Sequence, residues 1–217
     1  FIVWQSKWAR EQWKPYVNID KKHTIIYNGV DLELFNMDGL CMPLPGNKTK
    51  ILHSNWSIFP HKRVDILFDV IKVFPNVDFH CTGNYETIDT AKTFQRFTEF
   101  SNATYYGPVK AAKQLVNLYR SCDALLFTSE HEGSPNTCLE AMACGCPVIY
   151  NKKCNVVPEM FSEDLALGFE TIEDLKYIFE VQLEDREFIQ SLRRGMKLKI
   201  QDFSAEKMVK KYMEIIK

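Results

Sequence analysis

The sequence lacks any long apolar run. The longest, such as "DALLF" and "CPVIY", fall far short of the ~20 residues a helix needs to cross a bilayer, so no spanning helix is expected. It lacks an excess of charge: 27 Lys and Arg face 28 Asp and Glu, a formal net charge of −1. With no bulk field to draw the chain onto polyanions, no nucleic-acid partner is expected, although a local basic patch is left open. It lacks a CxxC pair. The seven cysteines, Cys41, Cys81, Cys122, Cys138, Cys144, Cys146 and Cys154, are an odd number scattered through apolar segments. That pattern favours reduced, buried thiols and a cytoplasmic location over a disulfide framework. A zinc site built from Cys144, Cys146 and His131 is disfavoured, because no second ligand pair has finger or ribbon spacing. No Asp-x-Asp motif is present to hold Mg²⁺, and no metal is expected. Also missing are a Walker loop, a GxGxxG, a GxSxG, internal repeats and low-complexity tracts. The chain opens without an initiator Met or a charged-then-apolar leader, and reads as a piece of something longer.

What is present is 217 residues, 46% of them apolar, enough for one large domain with a sizeable core. Strand-like runs alternate with segments of helical period. "FIVW" precedes "SKWAREQWKPY", and "HTIIYN" precedes a turn expected at Asn28-Gly29. After the polar "MPLPGNKTK" the alternation is regular: "KILHSN" leads to "KRVDILFDVIKVF", "VDFHCTG" to "TAKTFQRFTEF", "ATYYG" to "AAKQLVNLYRS", and "DALLFTS" to "NTCLEAMAC". Then come "PVIYN", a short turn with Pro158-Glu159, a last strand "LALGF" and three helical segments. Strand–helix units in series predict an α/β fold, a Rossmann-like doubly wound parallel sheet, because parallel neighbours need crossover connections.

Ligands of such sheets sit outside the carboxyl ends of the strands. The loop there that stands out is "SEHEGSP", which carries Glu132 and delivers a helix containing Glu140. Ser134, Pro135 and Asn136 suit its cap and first turn, Gly133 lets a backbone come close, and a helix N-terminus suits a phosphate. A carboxylate, with two acceptor oxygens, suits paired sugar hydroxyls. Two glutamates eight residues apart, taken alone, are unremarkable; their setting of strand, small-residue turn, helix and "ACGCPVI" is what singles them out.

These residues carry a resemblance. "EGSPNTCLEAMACGCPVI" resembles the signature of the retaining GT-B glycosyltransferases of family four, in their C-terminal donor-binding domain. "TIIYNGVDLELF", "SNWSIFPHKRVDIL", "YYGPV", "LYRSCDALLFTSEHEG" and "VVPEM" extend it over essentially the whole chain. The resemblance implies transfer of a sugar from a UDP- or GDP-type nucleotide sugar to a glycan, lipid-linked or protein acceptor, with retention of configuration and no cofactor. It implies three parts: residues 1–36 as the end of an acceptor domain and the segment between domains, 37–203 as the donor-binding domain, and 204–217 as a helix packing back toward the acceptor domain. That domain would bind the acceptor and mediate peripheral membrane association.

Residue by residue, it assigns Glu132 to the donor sugar, Gly133, Ser134, Pro135 and Asn136 to the sugar and diphosphate, and Glu140 to the ribose. Lys62 falls to the diphosphate, where an ammonium would neutralise the leaving group. Ser57, Gly83 and Val109 join the donor loops. The family's usual Gly-Arg is Trp56-Ser57 here, which leaves Arg63 as the candidate second cation; Asn155-Val156 replaces a glycine pair, and Gly83 keeps part of a glycine-rich turn. Two alternatives stand beside transfer: a non-catalytic sugar-nucleotide-binding module, and a GT-B sugar-nucleotide epimerase.

Overall fold

The structure is a computed structural model that describes residues 1–19, 21–56, 58–85 and 90–216. The chain opens with β1 (Ile2–Trp4), α1 (Lys7–Trp13) and β2 (His23–Ile25), and the two strands pair in parallel with Ile2 opposite His23. Ser6 caps α1 by accepting the Ala9 N–H, and the helix ends two residues before Pro15, which could not have continued it.

The main body alternates as the periodicity predicts: β3 (Thr49–Asn55), α2 (Val64–Val73), β4 (Val77–Gly83), α3 (Thr90–Phe97), β5 (Ala103–Tyr105), α4 (Ala112–Ser121), β6 (Ala124–Phe127), α5 (Asn136–Ala143), β7 (Val148–Asn151), α6 (Val156–Phe161) and β8 (Leu167–Phe169). Three further helices follow, α7 (Ile172–Tyr177), α8 (Arg186–Lys199) and α9 (Ala205–Ile216). The sheet is parallel throughout, in the order β5-β4-β3-β6-β7-β8. Counted from β3 this is the order 3-2-1-4-5-6, whose switch point lies between β3 and β6. Helices cover both faces, so central strands read as unbroken apolar runs; every residue of β6 and β7 is buried.

Four local expectations are corrected. Asn28-Gly29 makes no tight turn. Gly29 is needed because the Ala205 backbone passes so close that a Cβ would lie 2.8 Å from the Ala205 Cα, where Val30 and Ser204 form a bridge. Pro158-Glu159 lies inside α6 rather than in a turn: Pro158 is its third residue, where a missing N–H costs no intrahelical bond. The segment after "TIEDLKY" leaves the α-helix for a π-helical turn, Ile178–Gln182. Finally, α2 begins at Val64 rather than at Lys62, because Pro60–Lys62 form their own 3₁₀ turn and Arg63 is left-handed at φ 49°.

The six cysteines other than Cys41 are buried thiols, and Cys41 is exposed. Cys144, Cys146 and His131 are not brought together: the first two are buried while His131 is exposed and stacks on Trp8 at 5.7 Å. Along α9, Val209, Tyr212, Met213 and Ile216 present an exposed apolar stripe. No helix of the described residues is long and apolar enough to cross a membrane.

Candidate active site

The loops that leave β3 and β6 meet at the switch point. Backbone bonds stitch them: Glu130 N–H donates to the His61 carbonyl at 2.8 Å, and Thr128 Oγ1 donates to the Lys62 carbonyl at 2.7 Å. Behind Thr128 stands the buried His53, whose Nε2 lies 3.1 Å from Thr128 Oγ1 and whose Nδ1 lies 3.1 Å from the Tyr85 hydroxyl. Burial, then the Lys62 charge, pushes the His53 pKa down to about 3, so the ring is a neutral strut.

The strut fixes the lysine's backbone, and its side chain reaches across to the other loop: Lys62 Nζ lies 2.6 Å from Glu132 Oε1. Both side chains are mostly buried, at 21% and 16% exposure.

Glu132 and the first turn of α5 are set by Asn28, from the segment after β2. Its amide nitrogen donates to the Ser134 carbonyl at 2.8 Å and to Asn136 Oδ1 at 2.9 Å, and its backbone N–H donates to Ser134 Oγ at 3.0 Å. Of Ser134, Pro135 and Asn136, expected at the cap and first turn, Ser134 and Asn136 are thus turned to Asn28. Pro135 takes the cap position and gives the helix no side-chain acceptor. Gly133 faces the side chain of Gln5, whose Oε1 would lie 2.6 Å from a Cβ there; Gln5 in turn donates to Asn28.

Glu140 sits one turn into α5. Tyr119 of α4 donates to its Oε2 at 3.0 Å. Burial raises the carboxyl to about 6, and the tyrosine bond works the other way.

A cavity of about 710 Å³ joins these groups. Lys62, Glu132, Ser134, Pro135, Asn136, Glu140 and Val109 all line it, as the sequence reading grouped them. Three assigned residues are not brought to its wall. Gly133 lies beside Gln5, and Gly83 acts through backbone conformation. Gly83 has φ 109°, and a Cβ there would overlap the Asn55 carbonyl. Arg63 faces a separate cavity, its guanidinium bonded to Asp65 and Glu130, because its left-handed backbone turns it away from Lys62. Ser57 lies outside the described residues. The sequence reading missed Lys110, Trp56, Phe35 and Thr137 as wall residues and Asn28 as the clamp. Lys110 directly follows Val109 in a loop at the ligand face, and that position was the available signal; among the described residues it has no ion-pair partner.

A family model described as glycosyl transferases group 1 matches residues 43–197. The chain belongs to the glycosyl transferases group 1 family. Within it, the chain is 28% identical to an uncharacterized glycosyltransferase of Methanocaldococcus jannaschii over 158 residues, covering 68% of this chain and 39% of that protein. It is 29% identical to D-inositol 3-phosphate glycosyltransferase of Mycolicibacterium smegmatis over 135 residues, covering 58% of this chain and 31% of that protein. The matched region thus spans well under half the length of these group 1 relatives. Among solved structures, sucrose-phosphate synthase from Thermosynechococcus elongatus aligns with a TM-score of 0.81 at 18% identity over 99% of this chain and 57% of its own. Anabaena Alr3699/HepE, solved in complex with UDP-glucose, aligns with a TM-score of 0.78 at 18% identity over 100% and 63%. These likenesses establish the GT-B, Rossmann-like fold of this group 1 chain.

Proposed function

We propose that this chain is the donor-binding part of a glycosyltransferase that moves a hexosyl group from a UDP- or GDP-type nucleotide sugar to an acceptor with retention of configuration. The observation that carries the reading is the meeting of Lys62, Glu132, Glu140 and the first turn of α5 on one 710 Å³ cavity at the switch point. The likeness to Anabaena Alr3699/HepE, solved in complex with UDP-glucose, supports a nucleotide sugar as the occupant. In this reading the base lies against Val109 and Lys110, and the ribose hydroxyls hydrogen-bond to Glu140. The diphosphate faces Lys62 and the amides that open α5, and the sugar faces Glu132.

During transfer the bond from the sugar C1 to the β-phosphate oxygen breaks. The electron pair stays on the diphosphate, the acceptor oxygen bonds C1 on the same face, and the acceptor's hydroxyl proton passes to the departing phosphate oxygen. Lys62 and the helix N-terminus stabilise the charge that develops on the leaving oxygen. Lys110 is the further cation available to the nucleotide, in the place the sequence reading gave to Arg63. Metal-free chemistry is what the family resemblance implies, and the lack of an Asp-x-Asp in this chain agrees with it. Residues 1–36 form the end of an acceptor domain and the segment between domains, 37–203 the donor domain, and 204–217 the returning helix. The acceptor, whether glycan, lipid-linked or protein, binds the other domain, which mediates any membrane association, and the enzyme works in the cytoplasm.

The test is calorimetric titration of the chain with UDP and GDP, without metal. One nucleotide is expected to bind, with affinity falling at least about tenfold in Glu140→Ala. Binding that Glu140→Ala leaves unchanged would remove Glu140 from the site; absence of any binding would remove the donor reading for this chain.

A further inference from the structure

We propose that Tyr119 is a positioning residue of the donor site: its phenol fixes one oxygen of Glu140 and so presents the other to a vicinal hydroxyl pair of the ligand. The inference rests on the donor-site reading of Glu140 and extends it to a residue outside the cavity wall.

Three observations carry it. The Tyr119 side chain is fully buried, its ring edge-on against Phe35, so the packing around it holds the phenol in place. From there it donates to Glu140 Oε2 at 3.0 Å, joining α4 to α5. Among the described residues Glu140 Oε1 takes no protein hydrogen bond, although Glu140 lines the cavity. A carboxylate held by one oxygen has lost its rotation without losing its acceptor, which lowers the ordering cost of binding a hydroxyl pair.

The charge state of Glu140 is then part of the device, because a carboxylate accepts from both hydroxyls while a carboxylic acid accepts less and donates. Tyr119 stays a phenol at any working pH: burial and the neighbouring carboxylate push its own pKa far up. The other groups around Glu140 are few. Cys138 and Cys144, on its own helix and cap, are kept as thiols by burial. Across the cavity Lys62 and Glu132 neutralise each other, and Lys110 and Asp31 stand at the cavity wall and the adjoining pocket. Among the described residues only Tyr119 bonds the carboxylate, and that bond favours the ionised form.

The experiment uses the whole chain and Tyr119→Phe. Glutamate carboxyl carbons are labelled with ¹³C, the Glu140 signal is assigned by its absence in Glu140→Gln, and its titration is followed by NMR. In the wild-type chain the midpoint is expected near 6. In Tyr119→Phe it should rise by about one pH unit, a tenfold change in the protonation equilibrium. UDP binding by Tyr119→Phe should then lose about fivefold more at pH 6 than at pH 8, the ratio that a one-unit rise implies. An unmoved midpoint overturns the proposal, as does a UDP affinity that falls equally at both pH values, since a merely structural role would do that. If the wild-type chain binds no UDP or GDP at all, the donor reading fails, and the NMR midpoint still decides whether Tyr119 governs Glu140.

Discussion

Lys62 and Glu132 hold each other at 2.6 Å with most of both side chains out of water, so each is the partner that makes burial of the other tolerable. In the proposed reaction both have other work, Lys62 toward a diphosphate and Glu132 toward a sugar hydroxyl. The ion pair therefore competes with a ligand for Lys62. Glu132→Gln is expected to keep UDP binding and strengthen it by up to about tenfold, because the ammonium is released, while sugar transfer by the full-length protein falls by at least about a hundredfold. Lys62→Ala is expected to do the reverse to affinity. It should weaken UDP binding by more than about tenfold and cost about 1–3 kcal/mol of stability, because Glu132 is left without its cation. Calorimetry and urea unfolding read the two quantities separately. A Glu132→Gln chain that binds UDP more weakly than wild type would show that Glu132 assists the nucleotide instead of competing with it.

At the scale of elements, the site depends on where strands stop. β3 and β4 run in register from Thr49 opposite Val77 to Asn55 opposite Gly83. The two strands separate there as Gly83 takes φ 109°, accepts from the Tyr105 hydroxyl at 2.7 Å and lets Asn84 N–H reach the Asn55 carbonyl at 2.6 Å. Gly83→Ala adds a Cβ into the Asn55 carbonyl in a backbone region that disfavours it. The expected cost is about 3 kcal/mol or more, read as a fall in the urea midpoint at unchanged slope. A loss below about 1 kcal/mol would mean that the loop rearranges freely and that the glycine has no such role. The strand–helix alternation was readable because a sheet covered on both faces leaves unbroken apolar runs, and because crossover helices carry their own period. Glu132, Glu140 and Lys62 were readable because they stand in the loops and first turns that follow strands. What was hidden depends on three-dimensional approach. Asn28 is 106 residues from Ser134 in sequence, and the need for Gly29 comes from Ala205. The turning-away of Arg63 comes from a single left-handed residue after Pro60–Lys62, and nothing in a helical period announces it.

Over the whole molecule, buried titratable groups pull the pH dependence of stability in opposite directions. His53 has its pKa pushed down to about 3 and His80 to about 4, chiefly by burial. A histidine depressed on folding contributes its full stability above its unfolded value and loses it as pH falls through and below that value, about 2 kcal/mol for each by pH 5. Glu140 acts the other way. Its carboxyl is raised on folding to about 6, so the folded state binds this proton more tightly and gains about 1 kcal/mol between pH 7 and pH 5. The histidines outweigh the glutamate, and the chain is expected to lose about 3 kcal/mol over that interval in urea unfolding. Glu140→Gln removes the opposing contribution and leaves the histidines in place, so its stability should fall more steeply from pH 7 to pH 5, by about 1 kcal/mol more than wild type. Parallel curves for the two proteins would show that Glu140 ionises in the fold as it does in the unfolded chain. The cavity carboxylate would then be well solvated, and Tyr119 would have little to hold in place.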